Sequence, residues 1–152
     1  MEKWRKTMAK TVYKVWKWVT PEEWEDGITE EECCTLHSYD DEFITLKRVR
    51  ELIGDDCRMA QNLPGTEYTM WVDEEGKLKH GFDKQGNPHA TQEWQDSAAH
   101  HMGWEWLHAH YGGFIWDHDL ATGNVVQIIK GKWEHEEEGY IEDAIAYKEE
   151  EK

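Results

Sequence analysis

Five of the nine histidines in this 152-residue chain fall in one stretch, "HHMGWEWLHAHYGGFIWDHD", residues 100–119. On a continuous helix, His101, Glu105 and His108 follow at i, i+4 and i+7 and share one face. Asp117, His118 and Asp119 are placed to complete a site from the next segment. Two imidazoles and a carboxylate suit zinc, or iron with open coordination positions. The order is not HExxH, however, and no Glu stands beside either histidine as a general base. Gly103 interrupts the helical register, and histidines mixed with Trp and Tyr commonly fill amphipathic packing positions. The stretch therefore reads first as packing. A metal-dependent enzyme using His101, Glu105, His108, Asp117 and His118 is the alternative.

No other chemistry is marked. Ser38 and Ser97 lie in no nucleophile-elbow context. There is no GxGxxG after a strand and no GxxxxGK[ST], and "YGGF" is too short to cradle a phosphate. Carboxylate pairs carry little information about glycosidase chemistry in a chain with 33 Asp and Glu. No catalytic residue is assigned, and no cofactor is expected.

Charge is the unusual bulk property, with a formal net of −16. Residues 1–19 are basic, with six Lys/Arg and one Glu. Residues 20–42 carry ten acids and no Lys or Arg. The tail, 134–152, carries nine acids and two lysines. Such a field repels nucleic acid and anionic membrane and attracts basic protein surfaces. The plainer explanation is that the acids keep a small protein in solution. As a binding surface, the candidates are Glu22, Glu23, Glu25 and Asp26, then Asp73, Glu74 and Glu75, then Glu136, Glu137 and Glu138. The implied partner is a basic host protein or nucleoprotein complex, with no direct contact to nucleic acid or membrane. A homodimer is compatible with the sequence.

These residues need elements to position them, and 152 residues suffice for a single domain with its own core. Residues 1–42 read as a basic strand and an acidic helical segment, 43–133 as the core, and 134–152 as an acidic tail. "TVYKVWKWV", 11–19, reads as a strand. Thr20, Pro21, Glu22 and Glu23 then open a short helix that stops near Gly27. "ITEEECC" reads as a further short helix capped by Thr29, or as irregular chain. The clearest helix is 42–53: Phe43, Leu46, Val49, Leu52 and Ile53 recur at helical spacing, with Asp41 as cap and Gly54 as stop. "CRMAQ" and "YTMWV" read as strands. "DEEG" reads as a turn in which Gly76 takes positive φ, and "KLKHG" as the return strand. A helix follows over about 90–110, broken near Gly103 and started by Asn87 or Thr91. "GGFIWD" and "VVQIIKGKW" read as strands. Tyr140, Ile141, Ala144 and Ile145 keep helical register, which predicts a docked terminal helix.

The expected fold is α+β: an antiparallel sheet of about five strands with two main helices packed on it. The expected core is Trp16, Leu46, Val49, Leu52, Ile53, Met70, Val72, Trp94, Val126 and Ile128. Three cysteines, two of them adjacent, make a poor disulfide framework and suit a reducing cytoplasm. The basic start lacks the apolar core of a signal peptide. No apolar run approaches the roughly 20 residues that span a bilayer.

From about residue 45 to 130 the order of elements resembles a family catalogued only as a domain of unknown function in phages, plasmids and their bacterial hosts. The resemblance rests on "TLKRVRELIGDDCRMAQ", on "MWVDEEGKLKHGFDKQGNPHATQEW" and on "TGNVVQII". Its specific parts are the Asp73–Gly76 turn and the Asn87–Thr91 helix start. The chain departs from that pattern in its basic start, its acidic 20–42 segment, its His/Trp-rich insert and its acidic tail. The resemblance implies a scaffold and a mobile-element origin, with no activity attached. A small, acidic, motif-free protein of that origin suggests a non-enzymatic inhibitor or modulator, of anti-defence or DNA-mimic type.

Overall fold

A computed structural model describes residues 10–80, 86–135 and 140–147. In chain order the elements are β1 (Lys10–Trp16), α1 (Pro21–Glu25), β2 (Cys34–Asp40), α2 (Leu46–Ile53), β3 (Ala60–Asn62), β4 (Met70–Asp73), α3 (Gly76–His80), α4 (Pro88–His101), α5 (Trp104–Tyr111), a 3-10 turn (Ile115–Asp117), β5 (Val125–His135) and β6 (Tyr140–Ile145). The fold is α+β, and all six strands form one antiparallel sheet in the order β2-β1-β5-β4-β3, with β6 also on β5.

β5 is the spine. Its first half lies between β1 and β4, and its second half pairs with β6. Lys130 faces Val12 on one side and Ile145 on the other, so β6 continues the edge that β4 begins. The hand-over is tight: Ile128 N–H donates to Thr69, and Ala146 N–H donates to the Ile129 carbonyl.

Alternation along the strands sends successive side chains to opposite faces. Trp16, Met70, Val72 and Val125 meet Trp94 and Ala98 of α4, Leu107 of α5 and Ile115. Tyr13, Val15, Trp71, Val126 and Ile128 meet Val49 and Ile53 of α2. α2 thus covers one face of the sheet, and α4 with α5 covers the other. Eight of the ten expected core residues are buried, but Leu46 is 43 % exposed and Leu52 only half-buried. The reason is where α2 begins. Its cap is Thr45, which accepts the Arg48 N–H, and Asp41 lies outside the helix at φ 59°. Phe43 and Ile44 precede the helix and are buried.

Four segments differ from the sequence expectation. Residues 34–40 form β2, a strand the sequence did not suggest; before it residues 28–33 are irregular, one of the two readings given for 28–34, with Thr29 capping Glu32 for one turn. "KLKHG" lies on α3 and is not a return strand over its described residues. A strand would put Lys77 and Lys79 side by side; the helical turn sends Lys77 to Asp119 and Lys79 to Asp73 and Asp56. Gly76 serves close approach, not positive φ: an added Cβ would meet the Thr122 hydroxyl at 2.8 Å. "GGFIWD" closes into the 3-10 turn because Gln95 holds it from α4, accepting the Ile115 N–H at 2.7 Å and donating to the Gly113 carbonyl at 3.3 Å. The tail is a strand, since the second half of β5 has backbone groups to pair and residues 143–147 alternate exposed and buried.

The α4 start is the firmest junction. Asn87 accepts the Ala90 N–H as cap and donates to the carbonyls of Trp16 and Gly123, both at 3.0 Å. Thr91 donates to Asn87 and accepts the Ala121 N–H. The Asn-x-x-Ala-Thr motif is therefore a knot joining β1, α4 and the entry to β5.

Candidate functional site

The histidine stretch is divided by Gly103, whose φ of 90° ends α4 and starts α5 on a new axis. His101 consequently belongs to a different helix from Glu105 and His108. Its Nε2 donates to the Ala146 carbonyl at 2.7 Å, beyond β6. His110 donates through Nδ1 to Trp106 and stacks on that indole at 4.4 Å. His100 packs against His101 and Tyr147. Asp117 and His118 are exposed, and Asp119 is engaged by Lys77 at 2.6 Å. Among the described residues, no three His, Cys, Asp or Glu side chains are gathered as metal ligands. The five residues of the metal alternative are spread over two helices, the 3-10 turn and the residue that follows it.

The thiols are not activated nucleophiles. Burial pushes Cys33, Cys34 and Cys57 above the ordinary thiol range. A shallow cleft of about 160 Å³ lies between β4 and the 120–122 loop, with Glu74, Lys77 and Asp119 on its rim. That is well below the ~300 Å³ at which organic ligand sites begin.

The Asp73–Gly76 turn divides its acids by duty. Asp73 is buried, accepts the Glu75 N–H at 2.9 Å, and pairs with Lys79 at 2.7 Å. That hydrogen bond to Asp73 raises the Lys79 pKa above the ordinary lysine value. Glu74 and Glu75 stay in solvent. Asp73 thus holds the turn, and only its two neighbours remain free to meet a partner.

The acidic 20–42 segment is different. Thr20 and Glu23 form a capping box on α1, so Glu23 is occupied. Glu22, Glu25 and Asp26 are exposed and meet no cation among the described residues. Between them Trp24 is 46 % exposed, its inner edge resting on His89 at 5.0 Å. Glu30, Glu31 and Glu32 follow in solvent. After β2, Asp40 meets Lys10 only at 3.9 Å, while Glu42 pairs with Arg48 at 2.9 Å. Glu136, Glu137 and Glu138 lie outside the described residues.

One surface was missed from sequence. Trp104, Phe114 and Trp116 are 52, 44 and 39 % exposed and meet in a chain through Phe114, making an aromatic shelf. The signal was present: no Lys or Arg occurs between Lys84 and Lys130, while tryptophans crowd 104–116. Read as packing, that density concealed which rings stay outside.

No helix among the described residues is long and apolar enough to cross a membrane. No protein-family model, curated protein or solved structure matches the chain.

Proposed function

We propose that this chain is a small acidic interaction protein without chemistry of its own. It binds a basic, nucleic-acid-handling host protein, or a nucleoprotein complex containing one, and inhibits or modulates it. The setting is the host cytoplasm, and the origin is a phage or another mobile element, as the resemblance over 45–130 implies. Contact with nucleic acid or membrane is not part of this reading.

One observation carries it: residues 20–42 bear ten acids without a single Lys or Arg, and on α1 Glu22, Glu25 and Asp26 stand in solvent around a half-exposed Trp24. Clustered like charge that no described residue neutralises costs self-repulsion and creates a field that accelerates encounter with opposite charge. An aromatic ring within such a cluster supplies the area that surface charges alone do not, and Trp is enriched among residues that dominate interfaces. The metal-enzyme alternative has weaker support, because its proposed ligands are spread apart.

The experiment is capture from a bacterial lysate at low and high salt, with the parent chain and with Glu22→Lys/Glu25→Lys/Asp26→Lys. Glu23 is left alone because it caps α1. A basic DNA- or RNA-binding protein should be retained at low salt and released by salt or by the triple reversal. Capture indifferent to both would reject the reading.

A further inference from the structure

The acidic segment contains an open sheet edge. β2 pairs with β1 on one side, and among the described residues nothing pairs with the other. The orientation of its backbone follows from one bond. Lys17 N–H donates to the Cys33 carbonyl at 2.7 Å, which makes 17 and 33 a hydrogen-bonded pair. In an antiparallel ladder such pairs recur every second residue. Thr35, His37 and Tyr39 therefore turn their N–H and C=O groups to β1. Cys34, Leu36, Ser38 and Asp40 turn theirs outward.

Exposed edges are usually guarded by Lys, Pro, a bulge or very short length. This strand is seven residues long, contains neither Lys nor Pro, and pairs with β1 without a register shift. Leu36 stands on it 65 % exposed. The opposite end of the sheet, β3, has only three residues.

Charge decides the occupant. Glu30, Glu31 and Glu32 precede the strand, and Asp40 and Asp41 end it, all exposed. A second copy pairing antiparallel would set Glu30–Glu32 against Asp40 and Asp41, and a parallel copy would set each acidic end beside itself. Both arrangements oppose like charges. We infer that β2 is a strand-addition site for an extended basic segment of the partner protein, its main chain bonded to Cys34, Leu36, Ser38 and Asp40 and an apolar side chain against Leu36. This rests on the reading of the chain as a binder of basic proteins. Main-chain pairing supplies affinity, while the flanking acids select positive charge.

The probe is a fluorescein-labelled peptide of alternating Val and Arg, followed by anisotropy and by amide exchange of the full chain. Binding should weaken by about tenfold or more when the peptide amides along one edge are N-methylated, or in Ser38→Pro, which removes an outward N–H without breaking a bond to β1. The amides of Leu36 and Ser38 should gain protection, while those of Thr35 and His37 should not change. Undiminished binding of the N-methylated peptide, or no gained protection at Leu36 and Ser38, would overturn the edge assignment yet leave a salt-dependent acidic surface standing. No binding of the Val/Arg peptide, or equal binding of a Val/Glu peptide, would also overturn it. The lysate capture with the triple reversal then judges the acidic surface on its own.

Discussion

Phe114 and Trp116 stack with ring centroids 4.7 Å apart and planes 20° from parallel, and both remain exposed. Trp104 adds a perpendicular contact to Phe114 at 5.9 Å. Each is partly held by its neighbours, yet none belongs to the buried clusters. Trp104→Ala with Trp116→Ala should therefore lower stability without unfolding the domain, by about 0.5–1.5 kcal/mol per lost ring contact plus the apolar area each ring covers. It should also weaken retention of the captured partner. Thermal melts beside the capture assay check this. A collapse in stability would return the shelf to the core.

Val49 and Leu46 lie three residues apart on α2 but differ in burial, at 0 % and 43 % exposed. Val49→Asp should unfold the domain, since an unpaired buried charge costs several kcal/mol. Leu46→Asp should change stability by about 0.5 kcal/mol or less, as surface substitutions do. Urea denaturation of both variants tests where the helix begins. Equal effects would contradict the Thr45 cap.

Gln95 is the clamp on the loop that presents the shelf. Gln95→Leu leaves the Ile115 N–H and the Gly113 carbonyl without their side-chain partner. The expected loss is about 2 kcal/mol or more. Faster exchange of the Ile115 amide should accompany it, and unchanged exchange would show that the loop holds itself.

Much of the scaffold was legible in these terms. The α1 capping box, the Asn87 start of α4, the break at Gly103 and the opposite faces of Met70 and Trp71 all follow from local rules. What escaped depended on distant partners. β2 has a single β-branched residue, Thr35, and becomes a strand because β1 offers an edge. The Gly113–Asp117 stretch has strand composition but bends around Gln95. The 140–145 stretch has its apolar residues in helical register, and pairing with β5 overrides it. The site was less legible than the fold. Sequence spacing placed His101, Glu105 and His108 on one face only by running a helix through Gly103. The exposure of Trp104 and Trp116 depends on packing that no local pattern encodes.

Alkaline pH should destabilise the protein through Tyr13, which is buried, and Tyr147, which is partly covered. Burial, then the neighbouring Glu42 charge, raises the Tyr13 pKa far above the phenol range; burial, then the hydrogen bond to Glu93, does the same to Tyr147. A folded pKa above the unfolded value means that the contribution is fully present below about pH 10 and is lost as pH rises beyond it. The thiols, Cys33 buried and Cys34 and Cys57 half-buried, begin the same trend above about pH 8.5. Tyr13→Phe with Tyr147→Phe should flatten the fall above pH 10 in a series of urea melts. An identical slope in parent and variant would contradict the assignment.

The central claim is that the exposed acids of 20–42 bring this chain to a basic partner. Its most direct test is the association rate constant with the captured protein, measured across ionic strength for the parent and for Glu22→Lys/Glu25→Lys/Asp26→Lys. Steering by exposed charge predicts a steep fall with salt in the parent, about tenfold or more slower association for the variant at low salt, and convergence of the two at high salt. Rates that ignore both salt and charge reversal would contradict the account.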